Sequence, residues 1–241
     1  MLLMKTIIVI PAYNAEKTIE SVFKRIPKNS YDEIIVVNDG SKDKTSEIVK
    51  KYNVKLVEHK KNRGYGGAQK TGFKEALKDG ADIIALVHAD GQYAPEELPK
   101  IKKPIENGNA DVVLGSRVLH GKMLAGGMPL IRYIGNRFLT FLENLVLNMD
   151  ISEYHTGYRV YSRKALESVR FDLNSDKYEF DSEILIQCKL KNLRIKEVPT
   201  PTRYGEETSY LNPLTYGFRI LKILINYVAH RLHIRRDTKY L

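Results

Sequence analysis

Five short apolar runs, rich in β-branched residues, recur along the first half of the chain, and amphipathic stretches of helical period lie between them. Thr6-Ile7-Ile8-Val9-Ile10 is followed by Ala15 to Ile26, where Ile19, Val22, Phe23 and Ile26 share one helical face. Glu33 to Val37 precedes a helix over Asp43 to Tyr52, and Val54 to Glu58 precedes a glycine-rich loop, Asn62 to Gly67, and a helix from Ala68 to Lys78. Asp82 to Val87 precedes a helix from Pro95 to Asn107, whose proline sits where a missing N–H does no harm. Asp111 to Gly115 is the fifth run. Continuous apolar runs fit strands covered on both faces, and βα units of this length imply a mostly parallel sheet with helices on both sides. The expected class is α/β.

The rhythm breaks after residue 116. Leu119 to Met128 reads as a glycine-containing loop of the kind that builds mobile lids. Pro129 to Met149 reads as a helix with Ile131, Ile134, Phe138, Phe141 and Leu145 at helical spacing. Tyr158 to Ser162 and Leu193 to Val198 read as strands, and Phe180 to Lys191 as a helix. Leu214 to Leu232 is a long helix with Leu214, Phe218, Leu221, Ile225, Val228 and Leu232 in register. No repeat, low-complexity tract or linker interrupts residues 1–241, so one domain is expected.

The single cysteine, Cys188, rules out an intrachain disulfide framework and favours a reducing, cytoplasmic setting. No signal-peptide pattern is visible, and no stretch of about 18 apolar residues predicts a transmembrane helix. The net charge of +10 points to an anionic membrane surface or a phosphate-bearing substrate. No DNA- or RNA-reading motif is present, so nucleic acid is not an expected partner.

Ligands of open parallel sheets bind beyond the carboxyl ends of the strands. Four polar clusters fall there: Pro11-Ala12-Tyr13-Asn14, Asn38-Asp39-Gly40-Ser41, His88-Ala89-Asp90-Gly91-Gln92 and Ser116-Arg117. Any one alone reads as an ordinary turn; four at one sheet edge read as a site. Residues 88, 90 and 92 alternate, so in an extended chain His88, Asp90 and Gln92 share one face. An imidazole, a carboxylate and an amide oxygen suit Mn2+ or Mg2+, with histidine favouring manganese, unless the segment is merely a solvated strand end.

These segments, with Thr156-Gly157-Tyr158-Arg159 and the stretch from Val198-Pro199 to Ser209, resemble family 2 glycosyltransferases, and more narrowly the dolichyl-phosphate mannose synthase group. The resemblance runs from about residue 5 to residue 215. It implies a GT-A fold with a Rossmann-like nucleotide-sugar half (1–117), an acceptor half (118–210) and a C-terminal amphipathic helix with a basic tail (211–241). It implies that Pro11, Tyr13, Asn14, Val37, Asp39, Ala89 and Asp90 bind the nucleotide sugar, GDP-mannose or a UDP-hexose. It also implies that Asp90 and Gln92 hold the cation bridging the diphosphate, and that Arg117 and Arg203 meet phosphate groups, for which the planar arginine fork is suited. There are departures. His88 stands where the family usually has the first aspartate of its Asp-x-Asp signature, and Ala15 where many relatives have glutamate, with Glu16 one place on.

The implied reaction is inverting transfer of a hexose to a polyprenyl phosphate, with a glycan or other hydroxyl acceptor, or silent sugar-nucleotide binding, as alternatives. A lipid phosphate is already an anionic nucleophile, whereas a hydroxyl acceptor needs a base. Candidates for a base or for orienting the acceptor are Glu179 and Asp181, within an acidic stretch that is equally a plain helix start. The C-terminal helix, flanked by Arg219, Lys222, Arg235 and Arg236, reads either as an interfacial helix on anionic lipid or as a core helix. The first choice would place the protein peripherally on the cytoplasmic face of a membrane.

Overall fold

The computed structural model describes residues 4–121, 123–124, 127–201 and 212–241. Seven strands form one sheet: β1 (Thr6–Ala12), β2 (Glu33–Asn38), β3 (Lys55–Glu58), β4 (Ile83–Leu86), β5 (Val112–Ser116), β6 (Arg159–Ser162) and β7 (Ile195–Pro199), in the spatial order β3-β2-β1-β4-β6-β5-β7. The pairs β1/β2, β1/β4, β2/β3 and β5/β7 are parallel, while β6 runs antiparallel between β4 and β5. The helices are α1 (Ile19–Arg25), α2 (Thr45–Val49), α3 (Tyr65–Lys78), α4 (Leu98–Glu106), α5 (Arg117–His120), α6 (Leu130–Leu147), α7 (Arg163–Ser168), α8 (Phe180–Leu190) and α9 (Pro213–Arg231).

Alternation along β1 divides the core. Ile7 and Val9 join the layer covered by α3, α8 and α9, whereas Ile8 and Ile10 join the layer covered by α1 and α4. Each such fully buried aliphatic chain contributes about 1.5–3 kcal/mol. Gly72 brings α3 onto the sheet, since a Cβ there would lie 2.2 Å from Val9 Cγ1.

The chain departs from the sequence reading in several places, among them the first two helices, which are shorter than expected at Ile19–Arg25 and Thr45–Val49. The helix expected from Ala68 begins at Tyr65, so Gly66 and Gly67 lie in its first turn. Their N–H groups donate to the Asp176 carbonyl at 2.9 and 3.2 Å. A Cβ on Gly66 would stand 2.4 Å from the Ser175 carbonyl oxygen, so these glycines serve close packing. Two short helices were unforeseen; Ser116 caps α5 by accepting from Leu119 N, and Ser162 caps α7 by accepting from Ala165 N. Finally, the apolar stripe of α6 faces solvent, and its inward face carries Asn136, Thr140 and Glu143.

Asp111 locks β5 to the strand beside it. Its Oδ2 accepts from Arg194 N at 2.9 Å and Arg194 Nε at 3.0 Å, and its Oδ1 from Lys164 Nζ at 3.3 Å. The Arg194 hydrogen bonds, against the cost of burial, hold the carboxyl well below the usual carboxylate range. A folded-state value depressed in this way contributes stability above the ordinary value of about 4, lost as pH falls through the folded value. Asp111→Asn is expected to cost about 2 kcal/mol at neutral pH. Urea unfolding across pH checks this: the gap to the unchanged protein should narrow steadily in acid, and a gap constant with pH would refute the assignment.

Candidate active site

The loops beyond β1, β2 and β3 are stitched together at one sheet edge. Asn14 turns the chain with a φ of 49° and accepts from Lys42 N at 2.9 Å, while its own N–H donates to Ser41 Oγ at 2.9 Å. Glu16, displaced from the family position, accepts from Lys44 N at 3.0 Å. Asp39 is buried and fastens the third loop: Oδ1 meets His59 Nδ1 at 2.6 Å and accepts from Arg63 N at 2.9 Å, and Oδ2 accepts from Gly64 N at 2.8 Å. A carboxylate oxygen takes two donors, so Oδ2 retains capacity for one more.

A cleft opens over these loops. Its larger part, about 990 Å³, is lined by Pro11, Tyr13, Asn14, His88, Ala89, Asp90, Gln92, Arg117 and Asp181, among others. A smaller part, about 450 Å³, reaches Asp39. Pro11, Tyr13, Tyr65, Tyr178 and Tyr216 border both parts, which therefore form one continuous trough. Nine of the residues singled out in the sequence meet in the larger part, besides Asp39 in the smaller. Two do not. Val37 is fully buried in the core and touches the approach of α3 at Gly72, so its side chain borders neither part. Glu179 lines neither part; it accepts from Ser175 Oγ at 2.9 Å and pairs at 3.3 Å with Arg219, which does border the smaller part. Arg203 lies outside the described residues, as do Ser209 and parts of the 119–128 loop.

His88 is wedged in place. Its Nε2 lies 3.0 Å from the Tyr65 hydroxyl, which donates to Asp181 Oδ2 at 3.1 Å. A Cβ on Gly157 would fall 2.2 Å from the His88 ring. Burial pushes the His88 pKa down, against the opposing pull of Asp90 and Asp181, and burial holds the Tyr65 hydroxyl protonated. In the tautomer where the Tyr65 proton goes to Asp181, His88 donates from Nε2 and keeps its lone pair on Nδ1. Asp90 accepts from Gln92 N through Oδ1 at 3.0 Å.

Among the described residues, no three His, Cys, Asp or Glu side chains form a ready cation cage. Asp90, His88 and Gln92 line the same part of the trough and could supply a carboxylate, an imidazole nitrogen and an amide oxygen as part of a donor set. That fits a hard cation whose remaining positions are filled by ligand oxygens, as is usual for magnesium with phosphates.

Several neighbours were not singled out as site residues in the sequence. Arg117 is buried against Glu153: its N–H donates to Oε2 at 2.8 Å, its Nε to Oε1 at 2.7 Å, and its Nη2 also meets Oε1. Arg159 is fully buried and donates to the carbonyls of Tyr154, Thr156 and Asp181 at 2.6, 2.9 and 2.7 Å, so it fixes the start of α8. Tyr65 and Tyr178 stack at 5.0 Å. Tyr65 stood within a glycine-rich segment and Arg159 within Thr-Gly-Tyr-Arg, which were visible. Glu153 had no such marker.

Residues 7–170 match the model of the family described as glycosyl transferase family 2. A UDP-N-acetylglucosamine–dolichyl-phosphate N-acetylglucosaminyltransferase of Methanococcus voltae is 38% identical over 83% of this chain and 86% of its own. A dolichol-phosphate mannosyltransferase of Pyrococcus furiosus is 32% identical over 81% of this chain and 56% of its own. The crystal structure of glucosyl-3-phosphoglycerate synthase from Mycobacterium tuberculosis, in complex with Mn2+, UDP and phosphoglyceric acid, superposes with a TM-score of 0.70. It covers 95% of this chain and 78% of that one at 19% identity, a likeness of fold. The mostly parallel sheet, the trough at its carboxyl edge and these matches agree: the fold is GT-A, and the chain is an enzyme that belongs to glycosyl transferase family 2.

Proposed function

We propose that this enzyme transfers one sugar from a nucleotide-diphosphate donor to a polyprenyl phosphate, inverting the anomeric centre. One observation carries this reading: Asp90, His88 and Gln92 open into the same cavity as Arg117, Arg132 and the apolar side chains Ile131 and Leu139. A cation-holding carboxylate, a basic wall and an apolar wall are what a sugar diphosphate and a lipid phosphate together require. Two relatives that differ in the sugar they are named for share dolichyl phosphate, which supports the acceptor class and leaves the donor open between GDP-mannose and a UDP-hexose.

Tyr13 borders the base, and Asp39 Oδ2 accepts a base N–H. Asn14 and Ala89 shape the wall between base and diphosphate, and Val37 serves only by supporting this edge. Asp90, with His88 Nδ1 and Gln92, holds Mn2+ or Mg2+, which when bound supplies positive charge to the leaving diphosphate. Arg117 adds positive charge at the same wall, and Arg203 is assigned the same task from the sequence alone. The acceptor phosphate oxygen attacks the anomeric carbon from the side opposite the diphosphate. The new C–O bond forms as the old one breaks, and the nucleoside diphosphate departs with the electron pair. An ionised phosphate oxygen has no proton to lose, so no base is needed. Asp181, fixed by Arg159 and Tyr65, is left to orient a sugar hydroxyl, and Glu179 has no assigned part.

The test is transfer of radiolabel from GDP-mannose, UDP-glucose and UDP-N-acetylglucosamine, with manganese, to a short polyprenyl phosphate. Organic-extractable product of inverted configuration supports the reading and names the donor. Label recovered only in soluble glycans would move the acceptor to a hydroxyl.

A further inference from the structure

Helix α6 buries Glu143 completely, and the chemistry above gives that carboxylate no part. Its Oε1 accepts from Ser182 Oγ of α8 at 2.8 Å, and its Oε2 lies 3.1 Å from His155 Nε2. Apart from each other, neither Oε2 nor Nε2 has a hydrogen-bond partner among the described residues. The second ring nitrogen of His155, Nδ1, meets the Tyr216 hydroxyl of α9 at 2.8 Å. The main chain of His155 is fixed as well, since its carbonyl accepts from Arg117 Nη2 at 3.0 Å. Segments far apart in sequence thus converge on one line of groups. His155 and Tyr216 border the trough, and Glu143 lies behind them.

Burial decides which way this line points. A carboxylate out of water is costly on its own, whereas a carboxylate and an imidazole with one proton between them are net neutral. That proton sits on Oε2 or on Nε2. In both net-neutral forms Nε2 faces Glu143, and Nδ1 carries a hydrogen that it donates to the Tyr216 oxygen. Burial also holds the Tyr216 phenol protonated. Its O–H is then not taken up by His155 and is left to donate into the trough. Tyr216 stands where the two parts of the trough meet. A nucleotide with its base at Asp39, in the smaller part, and its sugar-bearing phosphate near Asp90, in the larger, must pass its diphosphate across that junction. Among the described residues no cationic side chain borders both parts, so a phenol donor there meets an anion that has few other partners at that point.

From this we infer that Tyr216 donates a hydrogen bond to a diphosphate oxygen of the sugar-nucleotide donor, and that His155 and Glu143 are positioning residues that keep its proton on the trough side. The inference rests on the sugar-nucleotide reading above and adds to it a residue that touches the leaving group. Charge grows on the diphosphate as the sugar departs, so the bond strengthens during transfer.

The test is equilibrium binding of UDP and GDP to the full chain, with manganese and without acceptor, each variant being read well below its own unfolding midpoint. Tyr216→Phe keeps the ring and should weaken binding of the preferred diphosphate at least about tenfold, the scale for a hydrogen bond to a charged group. In the transfer assay its kcat should fall while KM for polyprenyl phosphate holds. His155→Ala should weaken diphosphate binding nearly as much, and adding it to Tyr216→Phe should change little further, because the imidazole acts through the phenol. Glu143→Gln should stay close to the unchanged chain, since an amide N–H still donates to Nε2 and leaves the hydrogen on Nδ1. Full diphosphate affinity in Tyr216→Phe overturns the inference. So does a raised KM for polyprenyl phosphate with nucleotide affinity intact, which would move the bond to the acceptor phosphate. Losses in Tyr216→Phe and His155→Ala that simply add, or a loss in Glu143→Gln as large as that in His155→Ala, would overturn the positioning roles. An unchanged chain that binds no nucleoside diphosphate would sink the sugar-nucleotide reading itself and the inference with it.

Discussion

Asp90→Asn is expected to lower kcat/KM for sugar transfer by about a thousandfold, near 4 kcal/mol of lost transition-state stabilisation, with little change in stability. The side chain accepts a hydrogen bond from Gln92 N within its own turn, and an asparagine oxygen accepts that bond equally well. What disappears is charge. Of the three donors proposed for a cation, Asp90 alone is an anion, because burial lowers the His88 pKa and favours its neutral form and Gln92 is an amide. The histidine at position 88 therefore places more of the burden on one carboxylate than a paired-aspartate site would. Manganese titration should show a much weaker requirement or none in the variant. Activity within tenfold of the unchanged enzyme, at matched unfolding midpoint, would remove Asp90 from the proposed chemistry.

The second large effect concerns stability. Glu153→Ala is expected to destabilise the fold by about 3–5 kcal/mol, the range for stranding one partner of a buried ion pair. Glu153 is fully buried, takes three donors from Arg117, and accepts from Asn136 Nδ2 at 3.2 Å. Removing it leaves Arg117 with its charge inside the protein and with its main-chain N–H stripped of a partner. Pairing Arg117→Met with Glu153→Leu should recover much of the loss, because the desolvation of both ions goes with them. Urea unfolding checks both. A single variant that loses under about 1 kcal/mol would mean that Arg117 finds other anions and that Glu153 is dispensable.

Strands β1, β2, β4 and β5 were the most legible because each is apolar and buried through most of its length, which the two-sided core of a parallel sheet demands, whereas β3, β6 and β7 mix polar and apolar residues. All seven were anticipated within a few residues of their ends. Spatial order was not legible, since nothing in Arg159–Ser162 announces that it enters between β4 and β5 in reverse. At the sheet edge the signal was short-range and its geometry differed from the expectation: residues 88 to 92 bend through a turn with Gly91 at φ 72° instead of continuing extended, so His88, Asp90 and Gln92 border the trough without the simple alternation of a strand. Glu153 and Arg159 act on Arg117 and Asp181 from far along the chain, and such pairings leave no local periodicity. Val37 shows the opposite failure. It neighbours Asn38 and Asp39 in sequence, but strand alternation sends its side chain into the core. The stripes on α6 and α9 were visible as periodicity alone, and periodicity cannot say whether an apolar face meets protein or lipid.

The reversed strand β6 has a consequence for how the chain is made. Val112 on β5 pairs with Tyr161 and Ile195, both synthesised later, and Ile84 on β4 awaits the same Tyr161. While the first 117 residues emerge from a ribosome, β4 carries an open edge and β5 has no sheet partner among the described strands. Exposed apolar edges of this kind invite pairing with other chains. The turn carrying Asp90 and the turn carrying Arg117 become neighbours only when β6 zips both strands together. A nascent chain halted before that point is therefore expected to need a chaperone and to bind no nucleotide sugar, whatever the completeness of its first four strands.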